Sequence, residues 1–429
     1  MEKRLQIGIL GLGVVGTGVV EILAKEGQKI KEKTGVELVI TKALIRPGED
    51  KADFAKQHSL QLVYDIKDIT EDASIDVMVE VMGKIHPAKE FVLAALTTGK
   101  HVVTANKDLL AQHGTELVQT AVKNHVSLYY EASVAGGIPI LRTLANSFIA
   151  DEITEVLGII NGTTNYMLTQ MVEQGMSYED ALAKAQELGF AESDPTNDVD
   201  GIDAAYKTVI LTRFAYGTDI AIDDFVVRGI RGIGIEDIEL AKTQGYEVKL
   251  IGMTKKVGTG VFAEVAPALV PVHHPLASIR NEFNGVFIRS TGIGQSMYFG
   301  PGAGSLPTAT SVVTDLAVIA ENQGDNKPAP QFVDYRSEKI FADPKDVFSA
   351  YFVAMELTDD PQIWQEIKET ATGFAISYRE LENQVTTTGK RRIVVMTEPC
   401  SEVQRHQFVS AVEKIEDTKI TQIMKVMEE

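Results

Sequence analysis

The sequence predicts an α/β protein with three parts. A doubly wound parallel sheet comes first, then an α+β region, then a small βαββαβ unit at the C-terminus. Three observations carry this prediction. Over residues 1–130, short apolar runs alternate with stretches of helical period, the pattern of parallel strands joined by crossover helices. The first apolar run, Leu5–Leu10, passes at once into Gly11-Leu12-Gly13-Val14-Val15-Gly16 and a helix. From Ser349 onward the periods read strand, helix, strand, strand, helix, strand.

Composition sets outer bounds. A chain of 429 residues has room for two or three domains with sizeable cores. A net charge of −19 argues against nucleic acid or an anionic membrane surface as partner. The one cysteine, Cys400, has no internal disulfide partner, which fits a reducing compartment. A strand pattern begins at Leu5 where a signal peptide would lie, and no apolar run is long enough to span a bilayer. The expectation is a cytoplasmic, soluble protein.

The first element, Leu5–Leu10, is nearly continuous in apolar residues, as a parallel strand buried on both faces must be. Gly11–Gly16 then forms GxGxxG in the strand–turn–helix setting it requires, with the helix running from Val14 to about Lys33. The first glycine permits the tight turn, the second lets backbone approach a pyrophosphate, and the third lets helix pack on strand. The helix N-terminus supplies N–H donors and a positive dipole end to the phosphates, which makes Leu12, Val14 and Val15 of the motif candidates beside the glycines. This is a Rossmann-type dinucleotide turn; the alternative is a merely tight βα connection. The second strand, Glu37–Ile45, ends in Arg46, where NAD-preferring sites usually carry an acid. Arg46 is a candidate for the 2′-phosphate of NADP or an ordinary surface arginine, and the residues leave both open. Ser74–Met82 and His101–Ala105 read as strands, Pro87–Thr98 and Asn106–Lys123 as helices. Lys107 then falls beyond the carboxyl end of a strand, where ligands of such sheets bind. A lysine in a helix's first turn opposes the dipole, so a purely structural role explains it poorly.

Ser127–Tyr130 is a strand leading into the small-residue turn Glu131–Pro139. That turn suits a domain crossing, and its carbonyls could serve a hard, weakly bound cation. Ile153–Ile160 is a strand and 161–173 a helix; Thr164 or Asn165 is a candidate cap, and the polar cluster 161–165 at the strand end also suits substrate binding. After a helix over Ser177–Leu188 comes LGFAESDPTNDVDGIDAAYK, residues 188–207. It places Glu192, Asp194, Asp198, Asp200 and Asp203 before one lysine, Lys207. A loop is predicted after Asp194-Pro195, then a helix from about Val199 to Phe214. Asp203 and Lys207 are i and i+4 on a helix otherwise apolar on every face. An intrahelical salt bridge accounts for the spacing. The acidic loop alongside points instead to a lysine tuned for proton transfer.

Further on, Val248–Met253, Gly260–Ala266 and Val286–Ser290 read as strands. Phe299–Gly304 is a second glycine-rich turn, and Thr308–Glu321 a helix that could return to the first domain and cover its cofactor site. Asn322–Ala329 has the composition of a linker. In the C-terminal unit the strands are Ser349–Leu357, Phe374–Glu380, Arg391–Thr397 and Ile420–Val426, and the helices Gln362–Glu369 and Val403–Lys414.

Gly11–Gly16, Gly99–Lys107, Glu131–Pro139, Gly158–Tyr166, Gly189–Pro195, Asp198–Lys207 and Gly300–Thr308 together match one family. The chain resembles a monofunctional homoserine dehydrogenase with a C-terminal ACT domain, over nearly its whole length. The resemblance implies reversible NAD(P)H-dependent reduction of L-aspartate 4-semialdehyde to L-homoserine, on the route to threonine, methionine and isoleucine. It implies Lys207 as proton donor to the carbonyl oxygen and Lys107 between cofactor and substrate. Glu192 and Asp203 would bind the substrate amino group, with Asp198 in the same wall. The glycine-rich turns, through Gly11–Gly16 and Gly302, would hold NADP, with NAD possible. A monovalent cation, Na+ by the family's habit, would sit on main-chain oxygens of Glu131, Val134, Gly136 and Ile138. Implied too are a homo-oligomer, dimer or tetramer, and an amino-acid effector at the ACT domain.

Two departures stand out. Lys84 replaces the family's second glycine after Gly83. Asp359-Asp360-Pro361-Gln362 lacks the Pro-Gly of an ACT ligand turn, which puts feedback by threonine in question. The expected division is a nucleotide domain of 1–130 plus about 307–330, a substrate and dimerisation domain of 131–306, and a regulatory domain of 345–429. Two alternatives stand beside this. A non-catalytic NADP- and amino-acid-sensing regulator would have no reason to keep Lys107, Glu192, Asp203 and Lys207. A 2-hydroxy-acid dehydrogenase would lean on an arginine and a histidine–carboxylate pair, which the sequence does not display.

Overall fold

The computed structural model describes residues 3–322, 330–332, 339–386 and 389–428. The linker expected at 322–329 falls almost wholly outside them. Two compact units divide the chain: Met1–Ile153 with Val209–Ile222 and Tyr298–Lys339, and Thr154–Thr208 with Asp223–Met297 and Ile340–Glu429.

The first unit begins β1 (Lys3–Leu10), α1 (Val14–Thr34), β2 (Val36–Leu44), α2 (Ala52–Gln57), β3 (Gln61–Val63), α3 (Lys67–Thr70) and β4 (Val77–Glu80). It continues α4 (Ala88–Thr97), β5 (His101–Thr104), α5 (Lys107–Lys123), β6 (Leu128–Tyr129) and α6 (Ile140–Ser147). All six strands pair in parallel, in the order β3-β2-β1-β4-β5-β6. The order reverses between β1 and β4, so a crevice opens beyond their carboxyl ends. Leu10 stands level with Leu44 and Glu80, and Glu80 with Thr104, so the strand ends share one rim. α1 stops at Gly35, whose left-handed backbone (φ 72°) returns its N–H to Lys31 O.

In chain order there follow β7 (Ile153–Ile159), α7 (Gly162–Gln174), α8 (Tyr178–Glu187), α9 (Thr196–Val199), α10 (Ile202–Tyr216), β8 (Val226–Val227) and α11 (Ile235–Thr243). Next are β9 (Tyr246–Val257), β10 (Gly260–Pro271), β11 (Phe283–Ser290), β12 (Gln295–Pro301) and α12 (Ser305–Glu321). The C-terminal elements are β13 (Phe348–Thr358), α13 (Pro361–Gly373), β14 (Tyr378–Val385), β15 (Lys390–Thr397), β16 (Cys400–Ser401), α14 (Glu402–Val412) and β17 (Thr418–Val426). A mixed sheet runs β12-β11-β7-β9-β10-β17-β13-β15-β14. The last four strands are antiparallel neighbours and carry the predicted βαββαβ order. Their core alternates along β13 as Tyr351, Val353, Met355 and Leu357, packed on Ile367 and Ala371 of α13 and Phe408 and Val412 of α14. β17 also pairs in parallel with β10, so this module continues the larger sheet.

α12 belongs to the first unit. Its Ser305 hydroxyl donates to Val14 O at 2.7 Å, and a Cβ on Gly18 would lie 2.7 Å from Ser305 Oγ, so α12 packs hard on α1. It starts at Ser305 rather than after Pro307, because a first-turn proline lacks only an N–H the helix does not use.

Several expectations need correction. The helix from Val199 is broken: α9 occupies part of the predicted loop, and Gly201 at φ 82° separates it from α10. The strand placed at Phe374–Glu380 lies at Tyr378–Val385, since α13 runs on to Gly373 and Ala375 adopts a left-handed turn. Phe299–Pro301 is strand, not turn. The strand at Ser74–Met82 shrinks to four residues, because Asp72 holds Ser74 in a turn through its N–H and hydroxyl, both at 2.8 Å. The cap of α7 is Asn161, whose Oδ1 accepts from Thr164 N at 2.8 Å, rather than Thr164 or Asn165. Asp360 caps α13 by accepting from Gln362 N at 2.8 Å, which explains a turn built without glycine.

Candidate active site

The turn after β1 shows three glycines with three different jobs. Gly11 has φ 97° and donates its N–H to Leu44 O at 3.0 Å, closing the turn against β2. A Cβ on Gly16 would lie 2.0 Å from Gly11 O, so only glycine lets α1 start this close to β1. A Cβ on Gly13 would meet no protein atom within 4 Å. Gly13 is also the N-cap of α1, with no side-chain cap on the helix end. Leu12 is buried, while Val14 and Val15 follow at the open helix end. This leaves uncapped N–H donors at a positive helix end facing open space, the requirement for a pyrophosphate. Arg46 follows the end of β2, its side chain 91% exposed and 4.0 Å from Glu49.

At the rim beside it lies a buried polar network the sequence reading missed. Glu80, the last residue of β4, is wholly buried and accepts from the Thr104 hydroxyl at 2.6 Å and Met82 N at 2.8 Å. Burial pushes its carboxyl above the usual range, against those hydrogen bonds. Thr104 in turn accepts from Asn106 N at 3.0 Å. Asn106 caps α5 through Leu109 N and donates Nδ2 to Lys84 O at 2.6 Å, tying down a turn in which Gly83 and Lys84 are both left-handed. The network fixes the first residue of α5, Lys107, whose ammonium lies 3.5 Å from Asp108. The available signal was a glutamate closing an otherwise apolar four-residue strand.

In the second unit the acidic stretch is sorted by its partners. Lys207 Nζ donates to Ile160 O at 2.6 Å and to Asp203 Oδ2 at 2.7 Å. Asn161 Nδ2 donates to Asp203 Oδ2 at 2.8 Å and to Asp198 Oδ1 at 2.7 Å. One amide thus bridges the two carboxylates, and its own Oδ1 caps α7. Burial raises the Asp198 carboxyl, and the nearby Asp203 charge adds to the rise. Three of the predicted residues therefore meet around Asn161, which the sequence reading did not single out. Asp200 pairs instead with Arg231, and Asp194 turns back to Thr196 N at 3.1 Å. Glu192 is exposed, and its main-chain oxygen accepts from Gln186.

The loop from Glu131 to Ile138 is buried throughout its predicted cation-binding positions, Glu131, Val134, Gly136 and Ile138. Ala135 and Gly136 are left-handed in succession, and a Cβ on Gly136 would lie 2.5 Å from Gly302 O. Gly136 O accepts from the Ser311 hydroxyl at 2.7 Å and Ile138 O from Ile140 N at 2.8 Å. Each carbonyl keeps a second lone pair, so the donor set still suits a weakly held monovalent cation. The Glu131 side chain does something else. It accepts from Leu141 and Arg142 N–H groups at 2.8 Å each, capping α6, and burial pushes its carboxyl up to about 7. Arg142 pairs with the fully buried Asp315 of α12, whose own carboxyl burial pushes up to about 8.

A doubly wound sheet with an open GxGxxG turn defines a dinucleotide-binding protein, and a lysine held on a carboxylate and a carbonyl gives the chain a group able to hand over a proton. The comparisons sharpen this. Residues 11–131 match the family model described as homoserine dehydrogenase, NAD binding domain, and residues 139–317 the one described as homoserine dehydrogenase. The homoserine dehydrogenase of Lactococcus lactis is 43% identical over 99% of both chains. The crystal structure of a homoserine dehydrogenase from Thiobacillus denitrificans superposes with a TM-score of 0.91 at 31% identity, covering 99% of each chain. A hyperthermophilic archaeal homoserine dehydrogenase in complex with NADPH covers 75% of this chain and 99% of its own, with a TM-score of 0.64 at 27% identity. The chain belongs to the homoserine dehydrogenase family, NAD(P)-dependent enzymes that interconvert L-aspartate 4-semialdehyde and L-homoserine. That decides for the enzyme over the sensor and the 2-hydroxy-acid dehydrogenase. Among the described residues, no helix is long and apolar enough to cross a membrane.

Proposed function

We propose that Lys207 is the proton donor of this homoserine dehydrogenase and that Asp203 and Asp198 receive the substrate ammonium. The observation that carries the reading is the pair of contacts holding Lys207 Nζ, on Ile160 O at 2.6 Å and Asp203 Oδ2 at 2.7 Å. Those contacts hold the ammonium in one place and aim it. Two carboxylates against one lysine leave a negative charge for a substrate ammonium to balance. When bound, the reduced nicotinamide supplies a hydride to the aldehyde carbon. As charge grows on the carbonyl oxygen, Lys207 Nζ stabilises it and gives up its proton there. Lys107 polarises or positions the substrate, and Glu192 joins Asp203 at the amino group, both by resemblance to the family.

The cofactor is NADP in preference to NAD, with Arg46 at the 2′-phosphate and Gly11, Leu12, Gly13, Val14, Val15, Gly16 and Gly302 lining the nucleotide site. The exposed guanidinium beyond β2, where an acid would favour NAD, supports this. A monovalent cation, Na+, sits on the carbonyls of Glu131, Val134, Gly136 and Ile138. The functional division follows residues 1–130 with about 307–330, then 131–306, then 345–429. The last is an ACT-like regulatory module for an amino-acid effector, a reading supported by its antiparallel β17-β13-β15-β14 order. The protein works as a cytoplasmic homo-oligomer on the route to threonine, methionine and isoleucine.

The test is turnover of aspartate 4-semialdehyde, followed by loss of NADPH absorbance, repeated with NADH and with Lys207→Ala. Loss of turnover in the variant with NADPH binding intact is the expected result. Turnover surviving in Lys207→Ala moves the donor elsewhere, with Lys107 next in line. NADPH binding without turnover in the unaltered protein overturns the assignment of the site.

A further inference from the structure

We propose that the C-terminal module sets substrate affinity through a relay of ion pairs, Lys425–Glu264–Arg228, that ends on a strap gripping the Asp198 loop. The inference rests on the reading of Asp198 and Asp203 as the ammonium site.

The strap is the segment Val226–Arg231. Its first two residues are β8, paired in parallel with Glu264 and Val265 of β10. Arg228 N donates to Val265 O at 2.7 Å, and Ile230 N donates to Val199 O at 2.8 Å. Between them Gly229 lies so close to the loop that a Cβ there would stand 1.8 Å from Val199 O and 2.4 Å from Asp200 Cα. The Arg231 guanidinium pairs with the Asp200 carboxylate and reaches the Thr196 hydroxyl at 3.4 Å. From the other side, a Cβ on Gly201 would lie 3.3 Å from Arg228 O. Residues 196–201 thus take their position from the strap, and Asp198 is in the middle of them. Any shift of the strap moves Asp198 relative to Asn161 and Asp203, because the contact at Gly229 has no slack.

Besides these main-chain bonds, the Arg228 side chain ties the strap to a carboxylate of β10. Its NH2 lies 2.9 Å from Glu264 Oε1. The other oxygen, Oε2, lies 2.7 Å from Lys425 Nζ, on β17 of the C-terminal module. Glu264 is therefore shared, one oxygen to each side. Lys425 is 4% exposed, sits 4.3 Å from the Phe262 ring, and reaches Glu402 Oε1 at 3.2 Å. Glu402 opens α14, accepts from the Tyr351 hydroxyl of β13 at 2.6 Å and pairs with Arg405 at 2.9 Å. So within the module the ammonium of Lys425 faces the Glu402 carboxylate of α14, which Tyr351 of β13 and Arg405 fix in turn. In so dry a setting these charges cannot drift apart without a large loss, and a rearrangement of the module must pull on Glu264. Chains of paired charges of this kind, connecting rigid elements, are a physical route for coupling two sites.

Glu264 and Arg228 are positioning residues, and the test reads substrate affinity apart from stability. Glu264→Gln keeps the size of the joint and removes its charge. The expected result is a KM for aspartate 4-semialdehyde raised about fivefold, with kcat and the KM for NADPH within about twofold, the scale of effects along coupling networks. Arg228→Met, at a side chain 30% exposed, gives the same readout should the buried substitution not fold. A cycle with Lys425→Met decides the order of action: once Arg228 is gone, removing Lys425 should raise KM no further. Multiplying effects in the double variant overturn the relay. So does a lowered melting temperature with unchanged KM in Glu264→Gln and Arg228→Met, which makes the ion pairs mere fastening. Asp203→Asn runs in the same assay. If it raises KM and the relay variants do not, the relay alone fails. If none of them raises KM, the ammonium site is wrong and the relay falls with it.

Discussion

Gly13→Ala and Gly16→Ala separate what the glycines of the β1–α1 turn do for the fold from what they do for the ligand. A methyl on Gly16 would sit 2.0 Å from Gly11 O, where an ordinary contact needs more than 3 Å. Helix and turn must part by an ångström or more, and overpacking of that kind costs about 3 kcal/mol or more, the upper end of its range. Gly13 differs in every respect. Its φ of −75° and ψ of −157° are open to any L-residue, and no protein atom lies within 4 Å of the added methyl. Loss of a favourable N-cap, about 0.5–1 kcal/mol, is offset by a similar entropy gain from a less flexible unfolded chain. Chemical denaturation of the apo-protein should therefore leave Gly13→Ala within about 1 kcal/mol of the parent. Its NADPH dissociation constant, by fluorescence titration, should nonetheless rise about tenfold to a hundredfold, since the methyl occupies the approach of the pyrophosphate. Unchanged NADPH affinity in Gly13→Ala would refute the argument that the open side of the turn faces the cofactor. An apo-protein as stable with Gly16→Ala as without it would refute the packing argument.

Three further outcomes can be checked with similar means. Arg46→Ala should raise the KM for NADPH about tenfold and leave that for NADH alone; equal KM values in parent and variant would make Arg46 an ordinary surface residue. Asn161→Ala removes the cap of α7 and the amide shared by Asp198 and Asp203, so the denaturation free energy should fall by about 2–3 kcal/mol, with the KM for the semialdehyde rising as well. Burial lowers the Lys249 ammonium to about 8, even though Ile279 O holds it at 2.6 Å. The folded protein then releases this proton before the unfolded chain does, so stability rises with pH from about 8 towards the ordinary lysine value. Measured against Lys249→Met, the parent should gain about 2 kcal/mol between roughly pH 8 and pH 10, and a flat difference would show the ammonium to be solvated.

The nucleotide half was legible because its signals are local. The apolar run of β1, the glycine spacing and the period of α1 lie within one stretch of chain, and each dictates its own conformation. The C-terminal module was legible in order but not in detail. Its third predicted element slipped by four residues because nothing local marks the end of α13; Gly373 sits inside the helix, and the turn is made at Ala375. Short elements such as α2, α3 and β3 went unseen, being too brief for a period to register. Glu80 was passed over for the opposite reason. Its strand, Val77–Glu80, reads as plain core, and the partners that make the carboxylate tolerable, Thr104 and Asn106, are supplied by the next βα unit.

The acidic stretch shows most clearly where sequence reasoning runs out. Five acids within a dozen residues are chemically alike, and spacing alone paired only Asp203 with Lys207. The choice among Asp198, Asp200 and Asp203 is made by groups brought from elsewhere in the chain. Asn161, at the mouth of α7, selects Asp198 and Asp203. Arg231, on the strap, takes Asp200 out of the set. Asp194 is spent on its own turn, and Glu192 is left in solvent. A carboxylate matched one to one with a guanidinium has little left to offer a substrate ammonium, whereas Asp198 and Asp203 share one lysine and one neutral amide and keep a net negative charge between them. The difference between Asp200 and Asp198 therefore lies in whether the partner is cationic. It follows that Asp200→Asn should disturb substrate affinity only through the position of the strap, and Asp198→Asn directly. The first should be restored by repairing the Arg231 contact with Asp200→Glu, and the second should not be restored by Asp198→Glu, whose longer side chain cannot keep its 2.7 Å contact with Asn161 and the original direction of its charge. Equal rescue at both positions would mean that the two carboxylates act alike after all.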